Sequence, residues 1–196
     1  CVSDLKSPSM RERHWKLLMD ITGVTFEMGA DFSLAHLTAL QLHKFVDDVG
    51  EVVDRATKED KMEQTLQKLA VTWKSVEFVF TQHRDTPVYL LSMKEEDFEC
   101  LEDNQLVVQG MMASKYLATF EELVTSWQKK LSSVSDVLGQ MSETQRKWAY
   151  LETLFIGSEE VKKELPEDAE RFAKIDVKFK ETLKHFKNTP NCVASC

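Results

Sequence analysis

From Leu117 to Phe155 the apolar residues recur three and four positions apart: Leu117, Phe120, Val124, Trp127, Leu131, Val134, Leu138, Met141, Trp148, Leu151 and Phe155, with Gln145 the single polar interruption. This spacing keeps one stripe of an α-helix facing a partner. At about 1.5 Å of rise per residue it predicts a continuous rod of roughly 57 Å. A chain built around such a rod must lay other helices along it to cover the stripe, which describes a beam rather than a pocket.

The rest of the composition agrees. Six glycines and four prolines in 196 residues are few for a loop-rich all-β fold. No stretch approaches the ~20 apolar residues of a membrane helix, and the net charge of −8 disfavours broad attraction to phosphate backbones or anionic lipid. Neither nucleic acid nor a membrane is therefore expected as a partner. Cys1, Cys100, Cys192 and Cys196 are too sparse and uneven for a disulfide framework, and with no signal segment at the start they read as free thiols in a reducing compartment. Cys192 and Cys196 stand four apart, without the second Cys or His pair that would complete a zinc site. A chain that opens at Cys1 and closes on Asn191–Cys196 without a terminal helix reads as a piece of something longer.

Along the chain, Ser7 and Pro8 predict a helix start, as N-cap and first helical residue. That helix ends near Gly23, a loop runs to Asp31, and Ser33 caps the next helix. Two further periodic runs follow, Leu42, Phe45, Val49, Val52, Ala56 and then Met62, Leu66, Leu69, Trp73, Val76, Phe80. Between them the apolar register slips: continuing the first stripe places Glu59 and Glu63 on it, so a turned face, kink or break is expected near Lys58–Lys61. That seam divides the chain into possible sub-bundles 1–60 and 61–196. The β-rich stretches Phe78–Thr81 and Val88–Leu91 flank the turn-forming Arg84–Pro87 and predict a hairpin that must lie against a helix. Glu95–Met112 reads as a helix with Phe98, Leu101, Val108 and Met112 on one stripe. Ser158 caps a short helix to Leu165, and Glu167–Phe186 forms another with Phe172, Ile175, Phe179 and Phe186, stopped at Asn188–Asn191. The predicted fold is mainly α, an elongated bundle of long antiparallel helices with one small β-hairpin.

Catalytic patterns are missing from the sequence. The glycines lie far apart and none precedes Lys-Ser or Lys-Thr, so no phosphate-binding loop is present. His14, His36, His43, His83 and His185 form no metal-binding spacing; His14 beside Trp15 reads as a packing contact. The runs Glu95–Asp97, Glu159–Glu160 and Glu167–Asp168 sit at helix starts, where the macrodipole favours acids. Trp15, Trp73, Trp127 and Trp148 stand at helical spacing and read as core. Arg146, Trp148, Tyr150 and Phe155 form a denser polar–aromatic group and are the candidate docking or packing residues. Lys58, Lys61 and Gly139 are the candidate hinge positions, since a glycine in a helix interior costs about 1 kcal/mol relative to alanine.

Several stretches, taken in order, carry a resemblance: Leu5–Pro8 with Arg11–Met19, Leu34–Phe45, Leu66–Trp73, Leu101–Gln105 with Ala113–Tyr116, Trp127–Leu131, and the block from Gln145 through Trp148 to Phe172. Together they resemble the linker region of dynein heavy chains over nearly the whole chain, and Leu101–Gln105, Ala113–Tyr116 and Ile156–Glu159 look most like axonemal (ciliary and flagellar) heavy chains. Two departures stand out: Met141 where an aromatic is usual, and Gly139 where an acid is usual.

The resemblance implies one fragment, residues 1–196, from the middle of a linker arm. The fragment so implied is a noncatalytic lever that would bend and straighten over an ATPase ring in a microtubule-based motor. It implies no cofactor in these residues, with ATP and magnesium bound elsewhere in the parent chain. The implied partners are that ring and the remaining linker, with microtubules reached only through other parts of the parent, in the cytoplasm and the cytoskeleton of a cilium or flagellum. The rival expectation is a helical adaptor or scaffold that binds partner helices along an exposed stripe.

Overall fold

A computed structural model describes residues 5, 7–25 and 44–196. The expected cap at Ser33, the loop to Asp31 and the leucine-rich stretch from Leu34 through Leu42 lie outside the described residues. The described chain is mainly α with a single antiparallel hairpin, as its periodicity predicts. It runs α1 (Glu12–Thr22), α2 (Val46–Ser75), β1 (Val79–Gln82), β2 (Tyr89–Ser92), α3 (Glu95–Met112), a 3-10 turn (Leu117–Thr119), α4 (Glu121–Phe155), α5 (Glu159–Glu164), α6 (Pro166–Asn188) and α7 (Cys192–Ser195). Two compact units share these elements: Cys1–Gln67 with Ala113–Glu121, and Lys68–Met112 with Glu122–Cys196.

In the first unit, α1 starts four residues later than the Ser7–Pro8 signal predicts. Ser7–Met10 close a turn instead, the Met10 N–H donating to the Ser7 carbonyl at 3.1 Å. The helix is started by His14, whose Nδ1 accepts the Arg11 N–H at 3.0 Å; a side chain three residues inside the helix thus satisfies the cap residue's backbone, the reach-back half of a capping box. Gly23 ends the helix in the left-handed conformation (φ 69°), as its position predicts. Leu5, Trp15, Leu18 and Val49 form the core here, with Met10, Val24, Phe45 and Val53 packed on it.

Of the turned face, kink or break expected near Lys58–Lys61, α2 shows no break: it runs unbroken for 30 residues. Its buried stripe is Val49, Val52, Ala56, Glu59, Met62, Leu66, Leu69 and Trp73, three or four apart throughout. The slip exists only among apolar residues and vanishes once Glu59, fully buried, takes its place in the row.

In the second unit, β1 and β2 pair antiparallel with Phe80 opposite Leu91. The neighbouring His83–Val88 pair is hydrogen-bonded, His83 N–H to Val88 carbonyl at 2.8 Å. Alternation along the ladder makes Phe80–Leu91 a non-bonded pair, so the Leu91 N–H and C=O face outward. α4 begins at Glu121 rather than Leu117, because Leu117–Thr119 tighten into the 3-10 turn with the Phe120 N–H on the Leu117 carbonyl at 2.8 Å. Its 35 residues make a rod of about 52 Å.

Two apolar assignments are corrected. α3 buries Leu101, Val108 and Met111 and leaves Phe98 exposed, because the stripe begins a turn beyond Phe98. α6 buries Phe172, Asp176, Phe179, Leu183 and Phe186 and exposes Ile175. Ser158 caps α5 as predicted, its Oγ accepting the Val161 N–H, and Pro166 opens α6. The chain does close on a helical turn, α7, whose cap is Asn191: its Oδ1 accepts the Ala194 N–H at 2.9 Å. Its Nδ2 meanwhile donates to the end carbonyls of α2, Trp73 at 3.0 Å and Lys74 at 3.2 Å, and to the Val76 carbonyl just past the helix at 3.2 Å. One side chain satisfies orphan groups of two helix ends.

Candidate functional site

The common device in both units is a polar side chain standing on an apolar seam and bolting a neighbouring element to it. In the first unit the bolt is Glu59. Its Oε2 accepts from Arg13 Nε at 2.6 Å and His14 Nε2 at 3.1 Å, and its Oε1 from Arg55 Nε at 2.8 Å and Thr119 Oγ1 at 3.3 Å. Donors thus come from α1, from the preceding turn of α2 and from the 3-10 turn. The Arg13 guanidinium also lies over the Phe120 ring, 5.6 Å from its centroid. Outside this centre, Arg11 Nη2 reaches Asp60 and Glu63, each at 3.1 Å, and Ser9 Oγ donates to Asp60 at 3.2 Å.

Burial on its own would raise the Glu59 carboxyl; the bonds from Arg55, Arg13 and His14 outweigh it and hold the group below the usual range. Burial pushes His14 down, against the pull of Glu59. Because its Nδ1 accepts the Arg11 N–H, the proton sits on Nε2 and points at Glu59, so the neutral ring joins helix cap and carboxylate. A buried carboxylate with this many donors is a structural fastener: nothing here presents a nucleophile, a base and an oxyanion site to a common substrate.

In the second unit Gln145 is the bolt. The Leu91 N–H donates to its Oε1 at 2.6 Å and its Nε2 donates to the Leu91 carbonyl at 2.9 Å. The amide acts as one residue of a third strand on the outward edge of β2, and fastens the hairpin to α4. Three residues on, Trp148 donates its indole N–H to Asp176 of α6 at 2.9 Å, and Lys180 reaches the other Asp176 oxygen at 2.7 Å. His83, just past β1, stands edge-on to Trp148 at 5.1 Å and bonds Glu152 at 3.2 Å, which Arg84 also meets at 3.6 Å. α4, α6 and the hairpin are therefore joined by one chain of polar contacts inside an aromatic cluster that includes Phe179, 4.9 Å from Trp148.

The structure does not bring the candidate docking residues to one surface. Trp148 is buried and Phe155 stacks on Phe172 at 5.6 Å, while Arg146 and Tyr150 face solvent. Lys58, Lys61 and Gly139 are exposed, and a Cβ added at Gly139 meets nothing within 4 Å. Of the cysteines, Cys192 is buried, which pushes its thiol up to about 12 and leaves it inert as a nucleophile at neutral pH. Sequence reasoning missed Asp176 and Asn191 and read Glu59 as an obstacle. A signal was present at both buried acids, each standing where an uninterrupted three–four row requires a residue; for Asn191 the helix it caps is too short to leave a period.

The family described as "Dynein heavy chain, N-terminal region 2" matches residues 1–196. The chain is 56% identical over 196 residues to the dynein alpha chain of the flagellar outer arm of Chlamydomonas reinhardtii. It is 47% identical over 192 residues to human dynein axonemal heavy chain 9, and 47% over 192 residues to the ciliary dynein beta chain of Tripneustes gratilla. These alignments cover 98–100% of the chain and about 4% of each relative's length.

Proposed function

We propose, since the chain belongs to the dynein heavy chain family, that these residues form a noncatalytic lever segment of an ATP-driven microtubule motor. The observation that carries this reading is the bolted rod: a 35-residue helix whose seam is buried at Val124, Leu131, Val134, Met141, Gln145 and Trp148. A helix held along its length by apolar packing, at about 1.5–3 kcal/mol for each fully buried large side chain, resists bending far better than an isolated one, and stiffness is what a lever requires. The buried polar side chains Glu59, His14, Gln145 and Asp176 are all engaged in fastening helices and the hairpin together.

The segment would work in the axoneme, as the ciliary and flagellar names of the relatives suggest. ATP and magnesium would be bound elsewhere in the parent chain, by a ring that this segment and the remaining linker move against, and microtubules would be reached only through other parts of the parent.

The test breaks the rod without touching a nucleotide site. In the intact heavy chain Gly139→Pro removes a backbone hydrogen bond in mid-helix, at a cost of about 3 kcal/mol. ATP hydrolysis should persist while microtubule gliding slows several-fold. Gliding at the original speed would sink the lever reading and favour a helical adaptor.

A further inference from the structure

The hairpin meets α4 at two separate points. At the inner one the Gln145 amide holds the Leu91 backbone through buried bonds of 2.6 and 2.9 Å. At the outer one the turn after β1 is fastened by side chains: His83 Nε2 lies 3.2 Å from Glu152 Oε2, and Arg84 donates from Nη2 to Thr153 Oγ1 at 3.2 Å, with its Nη1 3.6 Å from Glu152. The two points are matched in span. From Phe80, opposite Leu91, to His83 the strand covers about 10 Å, and from Gln145 to Glu152 the helix covers about 10.5 Å. We propose that the hairpin is a releasable strap on α4, with Gln145 and Leu91 as its pivot and Arg84 as a spring-loaded clasp that opens first and frees the last turns of the helix.

The spring is the backbone of Arg84. Among the described residues it is the one non-glycine with a positive φ, 53°, a region that an L side chain disfavours because its Cβ crowds the next carbonyl oxygen. The grip of the guanidinium on α4 holds it there, together with the turn behind it, where the Thr86 N–H and hydroxyl both donate to the His83 carbonyl at 3.2 and 2.6 Å. The clasp is the weaker fastening. The Arg84 side chain is 59% exposed, so water competes for its guanidinium, whereas Gln145 is buried and its release would strand the Leu91 N–H and carbonyl. Once the guanidinium lets go, Arg84 relaxes to negative φ, and closing again must rebuild the left-handed residue, which biases the clasp toward release. With the pivot held and Trp148 still bonded to Asp176, the helix beyond Trp148 can then move apart from the hairpin. The inference stands apart from the lever reading, since a lever or an adaptor can carry such a strap.

The experiment is amide hydrogen exchange on the intact heavy chain at neutral pH, resolved to single amides, comparing Arg84→Ala with Arg84→Gly. Alanine drops the clasp and keeps the left-handed cost, whereas glycine drops both together. In Arg84→Ala the His83 and Thr86 amides should exchange roughly tenfold faster, while the Leu91 amide, bonded to Gln145, stays within about twofold of the original. In Arg84→Gly the His83 and Thr86 amides should return to within about threefold of the original. Thr153→Ala, which keeps Arg84 and removes its acceptor, should quicken the same two amides several-fold. Arg84 and Thr153 are exposed, so the variants should fold, and unchanged exchange in α2 and α6 verifies that they have. An alanine variant with His83 and Thr86 unchanged, a glycine variant as fast as the alanine one, or Leu91 quickening in step with the turn would each overturn the proposal.

Discussion

Replacing Glu59 by alanine tests the central physical claim, that a buried carboxylate fastens α1 to α2. The side chains of Arg13 and Arg55 are 39% and 36% exposed, so water takes over their solvation and each lost pair is worth only about 0.5 kcal/mol. His14 is 1% exposed, and its abandoned Nε2–H costs about 1–3 kcal/mol. A void of roughly 50 Å³ adds about 1 kcal/mol at about 24 cal/mol per Å³. Relief from burying a charge offsets part of this, which leaves a net loss of about 3 kcal/mol and, at about 1.4 kcal/mol per decade, roughly a hundredfold change in an opening equilibrium. The assay is amide hydrogen exchange, read on peptides covering 12–22 and 46–66 at neutral pH, because local opening is what the bolt resists. Glu59→Gln, which keeps an acceptor for His14, should speed exchange about tenfold less than the alanine variant. If α1 in Glu59→Ala exchanges within about twofold of the original, the bolt contributes nothing and the argument fails.

Three further outcomes follow from the same geometry. His14 and Glu59 are both held below their ordinary values of 6.5 and 4.5, so in each case the unfolded state takes up the proton first; their contribution is present at pH 7.5, declines as pH falls below about 6.5 through His14, and is lost as pH falls further through the depressed value of Glu59. Exchange of α1 corrected for intrinsic rate should therefore quicken on acidification, and a flat profile from pH 7.5 to pH 5 would refute the claim that burial holds the His14 ring neutral. Gln145→Leu leaves the Leu91 N–H and carbonyl unpaired and should loosen the hairpin by about 2–3 kcal/mol, seen as fast exchange at residues 89–92; protection equal to the original would mean that apolar packing is what holds β2. Gly139→Ala, with open space at the new methyl, should raise stability by about 1 kcal/mol and stiffen α4; an unchanged melting temperature with unchanged gliding would remove Gly139 as a point of give.

Much of the fold is legible in the sequence because burial on a helix repeats every three to four residues and on a strand every second one. The hairpin, α3, α5 and α6 stand where their patterns and caps place them, and most of the α4 seam is buried as read. The readings that failed share one cause. A periodicity sought among apolar residues treats a polar residue in the row as a fault, so Glu59 becomes a break in α2 and Asp176 is passed over for Ile175, which is exposed.

What the amino-acid sequence determines by itself is thus the class of fold, the order of most of its elements, the lack of any phosphate-binding loop and, through ordered matching stretches, the family. What only tertiary structure decides is the meaning of the polar residues on those helices. A buried carboxylate or amide is costly unless its partners arrive. For Glu59 they come from Arg13, His14 and Thr119, at least 45 residues away, for Gln145 from Leu91, 54 residues away, and for Asp176 from Trp148, 28 residues away. No local window contains both halves of such a contact, so a polar residue that looks like an interruption in one dimension becomes a fastening in three.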